Sequence, residues 1–349
     1  MEGTTRIALT RIAQVAGGLF AFVLALELLK KGAAGVAPLL RAMDVEGVAG
    51  GMGFGWLMAC VVLSGSPVAA IALTLLAAGT LDGRETFAMI GGSRLGASFV
   101  VLVIGVMDDL RNRRKEKKSA YVGVTALLVT AIVYLPAMGL GFIGLEHGLF
   151  AGLRLEGRTV ASMVDATTGP LVRAAVAALP RFVLFVAGIL GLLGAFKLFD
   201  AVLPDLQARG GPAALAGRVF YRPWVMFLFG LGVTAITLSV SVSISILVPL
   251  TAKGYVRREN LFPYILGANI TTFIDTLFAG ALVGHPEAVR LVAVLMACVT
   301  VLSVPIVFLF PYAFERAVDR VAQAATADSR ALFVFVAVLL AVPVALLAL

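Results

Sequence analysis

Long apolar runs recur along the whole chain, and each is close to the roughly 20 residues that an α-helix needs to span a bilayer. We predict spanning helices at the following positions: 10–31, 86–107, 120–143, 181–203, 261–284, 288–312 and 331–349. Only 14% of the residues are charged, whereas a soluble domain has roughly 25%. The runs lack the regular alternation of β-barrel strands. The sequence therefore predicts an all-α integral membrane protein.

Two further apolar segments, 48–80 and 222–252, are too long for one simple span, and serine with glycine or proline interrupts each in its middle. A half-helix of about 15 residues covers only about 22 Å, which is less than the ~30 Å hydrocarbon core. We therefore predict that each segment is a re-entrant hairpin whose tip is buried in protein or faces water. Two short, crowded spans are the alternative.

The chain matches itself without gaps when it is shifted by 175 residues, so that 63–99 lies over 238–274 with 10 identical pairs in 37. Unrelated apolar segments would give roughly one in ten. Each unit has three crossings and one hairpin, and because three is odd, the second unit is predicted to be inverted. Inverted repeats with interrupted helices are typical of secondary transporters, whose sites lie near the bilayer midplane between the repeats.

The predicted organisation has four parts: repeat 1 at 1–145, an extracytoplasmic linker at 146–180, repeat 2 at 181–312, and a cytoplasmic segment with a C-terminal helix at 313–349. The basic stretch 111–118 is expected in the cytoplasm, because loops rich in Lys and Arg stay on that side. This places the N-terminus in the cytoplasm. We expect a multi-pass protein of the cell (inner) membrane.

Serines mark the middle of both interrupted segments. Ser64, Gly65 and Ser66 in the first lie at the register of Ser239 and Ser241 in the second. At a hairpin tip, hydroxyls can bond the freed backbone groups and present oxygens to an ion. We predict that these five residues bind the substrate. The alternative is serine bonding to the backbone within a continuous helix.

A second pair of interruptions follows the tips, at 91–98 and 267–272. Gly92 and Gly267 occupy matching positions, and we predict that they allow the helix to unwind locally. Arg94 has a neutral residue as its counterpart in the second unit, so the two interruptions differ in charge. Ionisable residues at membrane depth are functional candidates, and we predict that Arg94 binds the substrate. A side chain snorkelling to the interface is the alternative.

Neutral oxygens in the second unit suit a hard cation such as Na⁺. The predicted sodium ligands are Ser241, Asn269, Thr271 and Thr272. Asn269 is also predicted to contact the substrate. Asp275 lies two turns beyond Gly267 and is a further candidate, for which an interhelical or helix-end bond is the alternative.

These motifs resemble the type II sodium–phosphate cotransporter family. Each inverted repeat of that family has a Gln-Ser-Ser-Ser tip and a Gly-Ala-Asn-Ile-Gly-Thr-Thr break. The tips here read Leu-Ser-Gly-Ser (63–66) and Leu-Ser-Val-Ser (238–241), and the second break reads Gly-Ala-Asn-Ile-Thr-Thr (267–272). The resemblance covers roughly residues 10–310. Neither tip has the glutamine, and Arg94 replaces an asparagine.

The resemblance implies a symporter that carries an inorganic anion, with phosphate as the first candidate, coupled to sodium by alternating access between the repeats. Transport of a different anion with reduced or no sodium coupling is the alternative. A guanidinium can hold an oxyanion bidentately, and it repels a cation by ~4 kcal/mol at ~4 Å and an effective dielectric of about 20. We therefore predict that Arg94 binds the anion and that the cation site of repeat 1 is lost or weakened.

Two other classes of function remain open at this stage. One is a membrane enzyme acting on lipid phosphates, but the chain has only two histidines, His147 and His285, and no His–acid or acid pair at catalytic spacing. We therefore expect no enzymatic activity. The other is a passive channel. The expected partners are an inorganic anion and the lipid bilayer, with no nucleic acid, and a homodimer is left open.

Overall fold

A computed structural model describes residues 2–43, 45–111, 118–152, 158–202, 222–252 and 256–349. These ranges are almost entirely helical and contain no strand. The helices long and apolar enough to cross a membrane are Ala13–Gly35, Gly83–Arg111, Ser119–Glu146, Arg181–Leu198, Arg258–Val283, Ala288–Leu309 and Ser329–Leu347. The prediction of an all-α membrane protein with about seven spans is confirmed.

The helices within the described ranges are numbered in chain order. They are α1 Glu2–Gly32, α2 Ala37–Ala42, α3 Gly47–Val62, α4 Gly65–Ala77, α5 Gly83–Ala97, α6 Phe99–Arg111, α7 Lys118–Glu146, α8 Arg158–Ala178, α9 Arg181–Val202, α10 Pro223–Thr237, α11 Val240–Ser245, α12 Leu247–Ala252, α13 Leu261–Thr271, α14 Phe273–Val283, α15 Ala288–Leu309, α16 Pro311–Thr326 and α17 Ser329–Leu347.

Short helices occupy both predicted hairpins, as α3 with α4 and as α10 with α11 and α12. The interruption in each is a leucine with left-handed backbone, Leu63 at φ 56° and Leu238 at φ 51°. This conformation costs an L-residue roughly 1–2 kcal/mol. A serine with extended backbone, Ser64 or Ser239, then begins the next helix. The alternative of a continuous helix through these serines is therefore wrong.

Several backbone features recur at the 175-residue offset, beginning with the two leucines. A Cβ on Gly55 would lie 2.2 Å from the Met89 carbonyl oxygen, and one on Gly230 would lie 2.0 Å from that of Tyr264. Each glycine thus lets one hairpin helix lie directly against the following broken helix. The two units share this packing residue for residue, whereas their opposite orientation in the membrane stays a prediction.

Gly92 and Gly267 lie inside α5 and α13 rather than at the breaks, so the prediction that they unwind the helix is wrong. Added Cβ atoms would lie 2.1 Å from the carbonyl oxygens of Met52 and Phe227, respectively. These glycines therefore serve close helix packing. The breaks come later in the chain, where α5 ends before α6 and α13 ends before α14.

The two units meet through their hairpins and broken helices. In the first unit α4 packs against α14, and in the second α11 packs against α6. Each hairpin thus contacts the helix that follows the break of the other unit. The helices α1 and α9, which open the two units, also pack against each other. The four tips and breaks are gathered in this shared core.

Two segments that were predicted to be connections contain helices. The predicted linker at 146–180 contains α8, and the predicted cytoplasmic segment after residue 312 contains most of α16, an amphipathic helix. Residues 112–117 of the basic stretch lie outside the described residues. Sidedness of the protein therefore stays a prediction.

Candidate substrate site

Arg94 lies in the protein interior with only 2% of its surface exposed. It is carried by α5, which packs against α3, α4 and α7. A guanidinium in an apolar core is strongly disfavoured unless it is paired and hydrogen-bonded. The snorkelling alternative for Arg94 is therefore wrong, and its burial must be offset by specific partners.

Four side chains from two helices and one helix break surround the guanidinium. Arg94 Nη1 donates to Ser66 Oγ at 3.3 Å and to Thr272 Oγ1 at 3.1 Å. Arg94 Nη2 donates to Thr276 Oγ1 and lies 3.6 Å from Asp275 Oδ1. We call these five residues the Arg94 cluster. It joins the first tip to the second break, and hence one unit to the other.

Asp275 is the only acidic partner of Arg94 among the described residues, and it is 7% exposed. Its Oδ1 accepts a hydrogen bond from Thr276 Oγ1 at 2.8 Å. Its Oδ2 and Arg94 Nε are buried and make no hydrogen bond of acceptable geometry within the described ranges. With Asp275 ionised the pair is electrically neutral, and it leaves one acceptor and one donor without a hydrogen bond among the described residues.

Phe273 separates the Arg94 cluster from a second polar group. The Arg94 guanidinium lies 5.1 Å from the centroid of the Phe273 ring, which suits a cation–π contact. The Tyr134 ring stacks on Phe273 at 5.8 Å. Phe273 directly follows the break at Thr272, and its aromatic ring lies buried in the core.

The second polar group is centred on Asn269, and we call it the Asn269 cluster: Asn269, Thr130, Ser98 and Tyr134. Asn269 Nδ2 donates to Thr130 Oγ1 at 3.1 Å, and Ser98 Oγ donates to the same oxygen at 2.9 Å. The Tyr134 hydroxyl donates to the backbone carbonyl oxygen of Asn269 at 2.8 Å. Like the Arg94 cluster, this cluster joins the two units.

The serines of the two tips have different partners. Ser239 accepts from the Val242 N–H at 3.3 Å and so caps α11. Ser241 Oγ donates to the Ala97 carbonyl oxygen, at 3.3 Å, in the other unit. Ser64 makes no such cap at the start of α4. Gly65, in the first turn of α4, lies so close to the Ser93 carbonyl that a Cβ would be 2.7 Å from its oxygen.

The predicted sodium ligands make hydrogen bonds to different partners. Thr272 accepts from Arg94, and Asn269 donates to Thr130. Thr271 Oγ1 donates to the Leu231 carbonyl oxygen at 3.0 Å, and Ser241 bonds the backbone of the other unit. In this arrangement each residue is used in a separate hydrogen bond, and Thr272 lies beside a guanidinium, which opposes a cation there. The sodium site stays a prediction.

Among the predicted substrate-binding residues, Ser66 and Arg94 are in contact, with Thr272 beside them. Sequence reasoning missed Thr276, Phe273, Thr130 and Tyr134. Thr276 follows Thr272 by four residues and Tyr134 follows Thr130 by the same interval. Polar residues at this spacing share one helix face, which is the signal that could have identified them.

Comparisons of the chain with protein-family models, with curated proteins and with solved structures give no match.

Proposed function

We propose that the protein is a secondary transporter of an inorganic oxyanion, with phosphate as the first candidate. The observation that carries the proposal is the buried Arg94, held between the tip of one unit and the break of the other. An oxyanion needs donors, and the cluster offers a guanidinium and three hydroxyls. The resemblance to sodium–phosphate cotransporters supports phosphate.

The start of α4 adds backbone donors to this site. Ser66 lies in the first turn of α4, whose N-cap Ser64 makes no side-chain hydrogen bond to the helix. The free N–H groups and the helix dipole at such an end favour a negative charge. An oxyanion between Ser66 and Arg94 would therefore be bound by hydroxyl, guanidinium and backbone groups together.

The placement of the cluster between the units supports transport rather than static binding. Arg94 contacts Ser66 in its own unit but Thr272, Asp275 and Thr276 in the other. Movement of one unit relative to the other would rearrange the second set of contacts and keep the first. This is the behaviour that alternating access requires of a site at a repeat interface.

The resemblance implies sodium as the coupling ion, but the predicted sodium ligands are engaged in separate hydrogen bonds, and Thr272 lies beside Arg94. The geometry favours the alternative with reduced or no sodium coupling. In either case the carried species is an oxyanion, and the site that holds it is the Arg94 cluster.

Uptake of radiolabelled phosphate into proteoliposomes tests the proposal. We expect uptake above that of protein-free liposomes and acceleration by phosphate trapped inside, because a carrier exchanges its substrate whereas a channel does not. Sodium and pH gradients should be imposed separately. The absence of both exchange and gradient-driven uptake, for phosphate and for sulfate, would contradict the proposal. Single-channel currents would indicate a channel instead.

A further inference from the structure

Asp275 occupies the place at Arg94 that an anion would take. Its carboxylate is 3.6 Å from Nη2, and neither its own Oδ2 nor the Arg94 Nε has a hydrogen-bond partner in the described part of the chain. Arg–carboxylate pairs are strongest when they are bidentate. The Arg94–Asp275 pair has a single contact of 3.6 Å, so its geometry is not the ideal one. An oxyanion with three or four oxygens could make the bonds that Asp275 leaves unmade.

We infer that Asp275 is the resident anion of the site: an oxyanion binds by displacing its carboxylate from Arg94, and the displaced carboxylate takes up a proton. The inference rests on the proposed function and names its coupling ion as H⁺. The proton moves from water to a carboxylate oxygen of Asp275 when the anion binds. It returns to water when the anion leaves and Asp275 pairs with Arg94 again.

The charge balance of the buried site supports the proton. An ionised Asp275 cancels the charge of Arg94, which lies 3.6 Å away. A monovalent oxyanion on Arg94 beside an ionised Asp275 would leave one uncompensated negative charge, which a buried site strongly disfavours. Protonation of Asp275 restores neutrality and needs a single oxygen, whereas Na⁺ held by the same oxygens would lie beside the like charge of Arg94.

No other charged side chain that the structure describes meets Asp275. Tyr134 is the next ionisable group, beyond Phe273, and α4 carries none. The other described ionisable groups on helices packed against α14 have other partners or are exposed. Glu27 pairs with Lys30, Tyr264 bonds Ser243, and Arg290 bonds the carbonyls of Leu145 and Leu149. Lys31 and Arg173 are exposed, and Cys298 carries a thiol.

Asp275→Asn tests the inference in the full-length purified protein. Inorganic phosphate binding is measured by calorimetry above and below neutral pH, with Asp328→Asn as the matched control. Asn is nearly as good an N-cap as Asp, so the control makes the same chemical change at the start of α17. We expect Asp275→Asn to bind phosphate at least about tenfold more tightly near neutral pH, because a competing charge is removed.

The pH dependence gives a second readout in the same experiment. The wild type and the Asp328→Asn control should gain affinity as the pH falls, relative to Asp275→Asn. Phosphate titrates identically in all three samples, so the difference between them reports the carboxyl group. Equal affinities and equal pH profiles in wild type and Asp275→Asn would overturn the inference while leaving the transporter proposal intact.

Infrared difference spectroscopy on the wild type covers the case in which Asp275→Asn does not fold. Phosphate addition should produce a carboxylic-acid C=O band that shifts when the protein carries ¹³C-labelled aspartate. Phosphate binding without this band would overturn the inference. A complete lack of oxyanion binding, in wild type and variant at every pH, would overturn the proposed function as well.

Discussion

Arg94 and Asp275 each make the burial of the other tolerable, so the residues should be coupled in stability. Removing one partner of a buried ion pair typically costs 3–5 kcal/mol, because a bare charge remains, whereas replacing both by apolar residues is often neutral. We therefore expect Arg94→Met or Asp275→Leu alone to destabilise the protein by a few kcal/mol. The double variant should recover most of that loss.

Denaturant unfolding in detergent measures the free energy of unfolding of the wild type, the two single variants and the double variant. Additive effects of the two single substitutions would contradict the prediction, since uncoupled residues add. The same samples report whether the destabilised single variants still bind phosphate.

The sequence could identify Arg94 but not its partners. A lone arginine in an apolar run is conspicuous, and the repeat register identified Ser66 as a separate candidate for the substrate site. The contact with Asp275 and Thr276 joins residues about 180 positions apart, and nothing in one sequence pairs them. The sodium prediction rests on residue type and on the family resemblance, and it stays a prediction because coordination depends on where the oxygens point.

At the scale of helices, glycines decide how closely the hairpins approach the broken helices. Gly230 faces the Tyr264 carbonyl oxygen, where a Cβ would lie at 2.0 Å, whereas nothing lies within 4 Å of a Cβ on Gly232. Both glycines are in α10. We expect Gly230→Ala to cost about 1–3 kcal/mol through overpacking, or to prevent folding.

Gly232→Ala is the matched control, because it makes the same change in the same helix. It should leave stability unchanged or raise it by up to about 1 kcal/mol, since alanine favours a helix. Fluorescence-detected size exclusion after heating compares the two variants. Equal melting of Gly230→Ala and Gly232→Ala would show that the close approach is not required.

The amphipathic helix α16 brings a carboxyl group into a partly buried position outside the spans. Burial raises the pKa of Glu315, and the nearby Glu259 and Asp319 raise it further, against the opposing effect of Arg316. A cavity of about 220 Å³ lies beside these residues, between α16 and the start of α7. Tyr121 donates to Asp319 at 2.6 Å across the same contact.

Glu315 should therefore weaken the docking of α16 as the pH rises. The folded-state pKa of Glu315 exceeds the ordinary pKa of glutamate, and these two values define a pH window. The stability that Glu315 contributes in its neutral form is lost as the pH rises through that window. We expect Glu315→Gln to be more stable than wild type above the window and equally stable below it. Thermal unfolding across pH checks this, and a constant difference at every pH would contradict it.

Helix periodicity and length were sufficient to predict the long elements, because a bilayer demands some 20 apolar residues from each span. They were insufficient for α8 and α16, whose polar faces remove the continuous apolar signal. The role of Gly92 was misread for another reason. Glycine permits both unwinding and close packing, and only the position of Met52 on the crossing helix distinguishes the two.

For the whole molecule, the contacts between units should control transport. Ser241 Oγ bonds the Ala97 carbonyl oxygen, so Ser241→Cys with Ala97→Cys places two thiols across the interface between the units. We expect oxidation of this pair to stop phosphate exchange and reduction to restore it. The control pair is Thr234→Cys with Ser243→Cys, which lies within the second unit and should leave exchange intact when oxidised.

A disulfide that forms at Ser241 and Ala97 without affecting exchange would contradict movement between the units. Cys60 and Cys298 are buried and unpaired, so they do not compete for the oxidant.

The neutrality of the Arg94–Asp275 pair also determines what the membrane voltage can do to the protein. Carrying one elementary charge through 100 mV involves about 2.3 kcal/mol of electrical work. A buried arginine without an acidic partner would make the reorientation rate of the empty carrier depend on the membrane potential. A neutral pair moves no net charge, so the empty protein should reorient at the same rate in strongly and weakly polarised membranes. Phosphate uptake under potassium diffusion potentials of opposite sign should then be equal.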